Sequence, residues 1–434
     1  MEKLIPIVVF IVVYLLISFE VLNKAVAAIL GVAILIILGS TDLHTAIGHV
    51  DFETILLLMG MMMIVAVLKK SGFFNILTVK VAILTGGSPL KILIFFSVIT
   101  AVLSAFLDNV TTVLIMVPMV IELTRSMGLD PRFYVIIQAI VSNLGGTATL
   151  IGDPPNIIIG SKVGLTFNQF LYHLPLPVVI TFIGVLGYCY FRYHKNFTSI
   201  DTNLAKLFTV ALLTNKIKND FHETPIVRSF LSKSVICVII TILLFLTQTF
   251  TGLKPGIVAV MIAMIMLIVT HTEVEEILIE VEWSTLLFFS GLFILVGTLE
   301  EKGIIEWIAR NIFLRIGDNP YLMVLTVLWV SGIVSGFLDN IPFTITMIPI
   351  VNLMLKSFPI PNHILWWALS MGACFGGNLT LIGASANIVS AGTAKRYGYD
   401  ISFTEFIKLG FPITLLTLLI ASAVLCIYLW WSLL

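Results

Sequence analysis

An all-α, polytopic membrane protein made of two related halves is the fold this sequence predicts, and three observations predict it. The chain of 434 residues is 59% hydrophobic and 11% charged, with a mean hydropathy of +1.10. Apolar runs of membrane-spanning length recur from end to end, a pattern soluble domains do not have. The chain also falls on itself when shifted by 231 positions, and in each copy one apolar run is interrupted. The first interruption, SNLGGTATLIGDPPNI at 142–157, contains Gly145, Gly146, Gly152, Asp153, Pro154, Pro155 and Asn156. The second is GGNLTLIGASANI at 376–388. Paired prolines remove two backbone donors, and glycines let the chain leave helical geometry. In lipid such backbone survives only where protein buries it or where it lines a cavity.

Other classes are excluded early. Net charge is zero, so no basic face points to nucleic acid. Cys189, Cys237, Cys374 and Cys426 form no CxxC or metal-spaced cluster, which argues against disulfides and structural zinc. The run 4–19 resembles a signal peptide in length, but a counterpart at 235–250 marks it as a span of the mature protein.

The duplication is gapless from 52 to 157. Thr54 meets Thr285, Gly60 meets Gly291, Gly72 meets Gly303, Gly86 meets Gly317 and Pro89 meets Pro320. Ser104, Phe106, Leu107, Asp108 and Asn109 meet Ser335, Phe337, Leu338, Asp339 and Asn340, and Pro118 meets Pro349. Apolar residues coincide by composition; glycines, prolines and Asp-Asn pairs do not do so together.

Each half reads as three spans, a connector, a helical pair, a broken helix and a last span. In half one the spans are 4–20, 24–39 and 53–70, followed by an interfacial connector at 71–88. The helices 90–107 and 111–126 meet at Asp108-Asn109, the broken helix covers 133–160, and the last span is 175–193. Half two repeats this at 235–250, 255–271, 284–299, 304–318, 321–338, 342–357, 363–391 and 412–433. The predicted organisation is repeat 1 over 1–194, with scaffold spans 4–70 and transport elements 90–193. A linker follows at 195–228, and repeat 2 covers 229–434, with scaffold spans 235–299 and transport elements 321–433.

Positive charge sets the orientation. The linker region carries Arg192, Lys195, Lys206, Lys216, Lys218, Arg228 and Lys233 and is expected in the cytoplasm. If the pair around Asp108 is a re-entrant hairpin, each half crosses five times and the second half is inverted. Both termini then lie outside, in a plasma or cell inner membrane. On that scheme seventeen of the twenty-four Lys and Arg fall inside. The acidic segment 272–282, with five glutamates and no base, falls inside with them. Six crossings per half would forbid inversion.

Asp108 and Asp339 stand at equivalent places deep in apolar sequence. An intramembrane carboxylate is costly unless paired, solvated or protonated, which makes each a functional candidate. Asn109, Asn340 and free carbonyls beside them offer an oxygen-rich cage for a hard cation, or a proton carrier. The competing reading is helix capping. Asp153 has no acidic partner, since position 384 is alanine; it is either a cation or proton ligand or a turn residue before the prolines. Thr111 and Thr112 meet Pro342 and Phe343, with Thr344 the nearest hydroxyl, so a cation site in half two must differ from that in half one. The substrate-binding candidates are Asn143, Gly145, Gly146, Thr147, Thr149 and Asn156, with Gly376, Gly377, Asn378, Thr380, Ser385 and Asn387. For the hydroxyls and amides among them, helix packing and back-bonding are the alternative. Broken-helix N-termini favour an anionic or oxygen-rich solute. No lysine or arginine lies within either stretch, which argues against a strongly clamped multivalent anion. Cys374, next to the second break, is read as a buried bystander, and His44, His49, His173 and His363 as solvated loop residues. No GxxxxGK[ST] is present, so an ion gradient, Na+ or H+, is the expected driving force, with no covalent cofactor. Neither GxSxG nor HExxH occurs, and no enzyme is expected.

FLDN and a Pro separated from it by eight residues, present twice, with GGTATLIGDPPN and GGNLTLIGASAN, resemble the ion-transporter superfamily. The nearest branch holds arsenite-efflux permeases, the pink-eyed-dilution P-protein and citrate permeases, and the resemblance spans nearly the whole chain. It implies a homodimer whose protomers pair a scaffold with an elevator-like transport domain. It also implies motif residues at Asn109, Thr111, Asn340, Thr149, Gly152, Asn156, Thr380, Gly383 and Asn387. The expected function is secondary transport of a small anion or oxyacid, arsenite- or carboxylate-like, coupled to Na+ or H+. A Na+/H+ antiporter and a channel are the alternatives.

Overall fold

The computed structural model describes residues 3–18, 21–85, 88–193, 227–309, 311, 319–358, 360 and 363–433, and these are helical throughout with short connections. The linker expected at 195–228 falls almost wholly outside the described residues, as do Gly86, Gly87 and Gly317. Among the described residues seven helices are long and apolar enough to cross a membrane.

Half one begins with α1 (Leu4–Ser18), α2 (Lys24–Ile37), the short α3 (Leu43–His49) and α4 (Phe52–Lys70). Polar side chains start these helices. Asn23 accepts from Ala25 N at 2.9 Å, Asp42 from Thr45 N at 2.9 Å, and Asp51 from Glu53 N at 3.2 Å, each occupying an amide that the helix itself leaves free. The expected connector is a helix, α5 (Phe73–Thr85). The hairpin α6 (Pro89–Phe106) and α7 (Asn109–Ser126) turns at Asp108, and the broken helix is α8 (Pro131–Gly146) and α9 (Pro154–Val163). Proline in the first turn of α6, α8 and α9 costs no hydrogen bond there. The short α10 (Phe167–His173) and α11 (Pro175–Tyr193) close the half.

Half two holds α12 (Arg228–Leu246), α13 (Gln248–Thr251), α14 (Pro255–Thr270), α15 (Val274–Glu280), α16 (Trp283–Glu301), α17 (Ile304–Ile308), the hairpin α18 (Pro320–Phe337) and α19 (Asn340–Ser357), and the broken pair α20 (Ile364–Gly376) and α21 (Ser385–Arg396). It ends in α22 (Phe403–Leu433). The bounds of α3, α4, α6 and α7 recur 231 positions later in α15, α16, α18 and α19. Of the segment expected at 304–318, positions 310 and 312–318 lie outside the described residues. The last helix starts at Phe403, before the expected 412, because Ser402 accepts from Glu405 N at 3.2 Å and Pro412 is carried inside the helix.

Four helices from the two halves cross-pair. In α2 and α16, Ser284 donates to Asn23 at 3.2 Å, and a Cβ on Gly291 would lie 2.9 Å from that of Ala28. A Cβ on Gly31 would lie 3.3 Å from Leu295. The contacts advance together, so the helices run parallel. In α4 and α14, Lys254 pairs with Glu53 at 3.0 Å, and a Cβ on Gly60 would lie 2.6 Å from the Ala259 carbonyl carbon. These also run parallel. Ala28 and Ala259 are 231 positions apart, as are Gly60 and Gly291. The two pairs point in opposite directions. Lys69, at the end of α4, bonds Glu280 at 2.8 Å just before α16 begins, and Lys70 pairs with Glu276. At the other end His49, just before α4, lies 3.6 Å from Glu301. Lysines at the end of α4 are thus met by the acidic segment 272–282, which explains why both occupy one side.

Replacing Gly60 or Gly291 with leucine forces a side chain into a neighbouring helix. The expected cost is about 1–3 kcal/mol or more, read as a lowered melting temperature of the detergent-solubilised protein.

Candidate functional site

Both interruptions are braced by the hairpin of their own half. Thr149 donates its hydroxyl to Ala105 O, and Thr380 donates to Gly336 O at 2.6 Å. Ser104 donates to Ser142 O at 2.6 Å, and Ser335 to Ala373 O at 2.7 Å. Asn156 donates to Thr147 O and Thr149 O at 3.0 and 2.8 Å; Asn387 does the same to Gly377 O and Thr380 O at 2.8 and 2.9 Å. Carbonyls that the broken helix leaves free are thereby satisfied inside the protein. Glycine is required where the pieces touch: a Cβ at Gly145 would sit 2.3 Å from Ala101 O, and one at Gly376 2.3 Å from Gly332 O. Gly146 and Gly377 face Gly152 O and Gly383 O in the same way, at 2.5 and 3.1 Å.

One fully buried side chain joins the halves. Asn143 accepts from Asn109 Nδ2 at 2.9 Å and donates to Asn378 Oδ1 at 2.8 Å and Asn387 Oδ1 at 3.1 Å. Ser370 donates to Asn156 Oδ1 at 2.5 Å, a second tie between halves. Thr147 and Thr344 bond back to Asn143 O and Asn340 O, at 2.8 and 2.7 Å. Asp108 caps α7 by accepting from Thr111 N at 2.9 Å and also takes the Thr111 hydroxyl. Asp339 accepts from Ile341 N at 3.2 Å. Both carboxylates therefore cap their helices, and Asp108 in addition lines the cavity described next. Cys374 is free and fully buried. Of the histidines, His173 stacks on Trp367 with ring centroids 4.7 Å apart, a packed position the loop assignment did not foresee.

In front of this network lies a cavity of about 460 Å³. Of the sequence candidates, Asp108, Asn109, Asp153, Asn340 and Ser385 line it. Asn143, Thr147, Thr149, Asn156, Asn378, Thr380 and Asn387 stand behind as its frame. Three lining atoms are buried without a protein partner: Asn109 Oδ1, Asp153 Oδ2 and Asn340 Nδ2. Thr112 Oγ1 and Asn378 Nδ2 are unpaired as well.

The starts of α2 and α16 contribute residues that the sequence did not single out as site candidates: Asn23, Lys24, Glu282, Ser284 and Thr285. Lys24 pairs with Asp339 and donates to Ser385 Oγ at 3.0 Å, while Thr285 donates to Glu282 at 3.0 Å. The base that both polar stretches lack therefore arrives from a different helix. A signal existed: Lys24 opens an apolar helix, where its charge opposes the helix dipole.

Six helices, α2, α7, α9, α16, α19 and α21, begin at this cavity. Each N-terminus carries about half a positive charge, so six of them with Lys24 supply about +4. That is about what Asp108, Asp153, Glu282 and Asp339 offset when ionised.

A second niche, of about 220 Å³, lies at the far end of α9, where α4 and α14 begin. Its lining residues Glu53, Thr54, Leu57, Ile157, Lys254 and Pro255 fall, at the 231-residue shift, on Ser284, Thr285, Phe288, Ile388, Asn23 and Lys24 of the large cavity.

Apolar spans surround a cavity, mostly apolar in its lining, into which carboxylates, amides and one lysine project between interrupted helices, an arrangement that fits a membrane transporter. Residues 14–372 match the citrate transporter family, and the chain belongs to that family. It is 38% identical over 434 residues to a 46 kDa membrane protein of Mycobacterium leprae, covering 99% of this chain and 98% of that one. An uncharacterized transporter of Mycobacterium tuberculosis is 36% identical over 438 residues, with the same coverage of 99% and 98%. The P protein of Homo sapiens is 36% identical over 476 residues, 92% of this chain and 57% of its own length.

Asn143→Ala removes three buried hydrogen bonds and strands the amides that made them. At about 1–3 kcal/mol for each stranded group, the melting temperature should fall by more than for Cys374→Ala, in the same detergent.

Proposed function

We propose that this protein is a secondary active transporter that carries a small anionic or oxyacid solute together with Na+ or H+, by elevator-like alternating access. The observation that carries this reading is the cavity on which six helix N-termini and three carboxylates converge, with a fourth, Asp339, paired to its lysine. Its fixed charges are near balance, so an added anion is tolerated best when a cation or proton arrives with it. Coupling is then electrostatic in origin. Asp108, Asn109 and Asp153 are the proposed cation or proton ligands, with two unpaired acceptor atoms among them. Asn340, Ser385 and the start of α21 are proposed to face the solute.

Inverted repeats are supported by the opposite running of the α2/α16 and α4/α14 pairs. Alternating access is supported by the small niche, whose lining is the repeat image of the large cavity. The cross-paired helices are the proposed fixed framework. The hairpins and broken helices are the moving part, and the protomer is proposed to work as a homodimer. With lysines 69, 70 and 24 inside, the large cavity opens toward the cytoplasm.

In proteoliposomes, labelled citrate or arsenite should accumulate above equilibrium under an imposed Na+ or pH gradient and leak back when an ionophore collapses it. Flux indifferent to both gradients would sink the reading. Asp108→Asn and Asp153→Asn should each slow driven uptake at least tenfold, while exchange of internal for external solute suffers less. For topology, in a variant without the four native cysteines, Lys254→Cys should react with an impermeant maleimide from outside, and Lys70→Cys only after permeabilisation.

Na+/H+ exchange is the second reading, favoured by four carboxylates against one ammonium. Proton release on adding Na+, with no organic solute present and no solute uptake, would favour it.

A further inference from the structure

Among the described residues Lys24 is the one ammonium lining the large cavity, and it comes from α2 of the proposed framework, while its partner Asp339 sits at the tip of the second hairpin. Lys24 also holds Ser385 Oγ at 3.0 Å, and Ser385 reaches Asp339 Oδ2 at 3.4 Å. Asp339 is 4% exposed and the lysine side chain 27%. Behind them Asn340 Nδ2 is buried at the cavity without a protein partner. An ammonium, a hydroxyl and an amide N–H therefore face one space, and among the described residues Asp339 is the one anion paired with the lysine.

The repeat makes this arrangement one-sided. At the 231-residue shift Lys24 falls on Pro255 and Ser385 on Pro154, so neither the lysine nor the hydroxyl has an image in the other half. The nearest base at the second niche, Lys254, is occupied by Glu53 at 3.0 Å. If the hairpins move against the framework, Asp339 leaves Lys24 and meets no equivalent base. A buried carboxylate stripped of its partner is strongly unfavourable; Asp339 must therefore travel neutralised by a proton or cation.

We propose that Lys24 receives the anionic group of a small carboxylate or oxyanion solute, with Ser385 and Asn340 as co-donors, in exchange for Asp339. This rests on the transporter reading above and adds the solute's charge and the residue that reads it. The solute takes Lys24, a proton or cation additional to the one proposed at Asp108, Asn109 and Asp153 takes Asp339, and the tie between framework and hairpin opens only when both are bound. Half-loaded protein stays tied or carries a bare charge, which links the two flows.

Citrate binding to the purified full-length protein is the test, by calorimetry in detergent across pH and Na+, with arsenite, uncharged at neutral pH, as a comparison. Lys24→Gln should weaken citrate binding at least tenfold and leave any arsenite binding within threefold, and Lys24→Arg should restore most of the loss. Asp339→Asn, by removing the competitor, should tighten citrate severalfold and flatten its dependence on pH and Na+. The Lys24→Gln, Asp339→Asn pair leaves no unmatched charge and should fold as well as the natural protein while still failing to bind citrate. Unchanged citrate affinity in Lys24→Gln, or in the paired variant, would overturn the assignment, as would weaker binding in Asp339→Asn. A natural protein that exchanges Na+ for H+ and binds neither citrate nor any other carboxylate would overturn the anion reading itself, whatever Lys24 does.

Discussion

The Thr149 hydroxyl on Ala105 O, and its counterpart from Thr380 to Gly336 O, is the contact on which the remaining architecture depends. A helix can be interrupted in the bilayer only if every exposed carbonyl and amide finds a protein partner. Here the hairpin supplies those partners, with glycine at each closest approach. Asn156 and Asn387 complete the work by closing each loop onto its own backbone. Once the interruptions are held, two further helix starts are free to face an interior space, and the polar cavity follows from that geometry.

Asn143 gives this arrangement its centre. Its amide meets the tip of the first hairpin on one side and both asparagines of the second interruption on the other. The repeat places Cys374 at the matching position, so a single asparagine does what a symmetric molecule would share between two. The halves are thus similar in frame and different in chemistry: Asp153 faces Ala384, Thr111 faces Pro342, and Lys24 faces Pro255. Three of the residues proposed for binding and coupling, Lys24, Asp153 and Ser385, stand where the repeat is broken.

Much of the frame was legible in the chain. Glycines and prolines have few reasons to recur in register, so the hairpins, the interruptions and the acidic caps could be read directly, and the hairpin bounds agree within two residues. What could not be read was pairing across halves. Lys24 and Asp339 are 315 positions apart and meet because α2 lies parallel to α16, a fact no local pattern carries. Glu282 and Thr285 were missed for the same reason. The roles within the polar stretches were also underdetermined. Thr149 and Asn156 look like ligands in a sequence, yet the structure spends their polar atoms on backbone carbonyls and on the Ser370 hydroxyl, whereas Asn109 and Asp153 keep an atom to spare.

The cross-paired helices bear on how the protein is made. Gly60 in α4 finds its seat against Ala259, and Ala28 in α2 waits for Gly291. A nascent chain that has delivered only its first half to the membrane therefore holds two grooved surfaces with nothing yet to fill them. Biogenesis must keep that intermediate from seizing the wrong neighbour until α14 and α16 have followed the first half out of the ribosome.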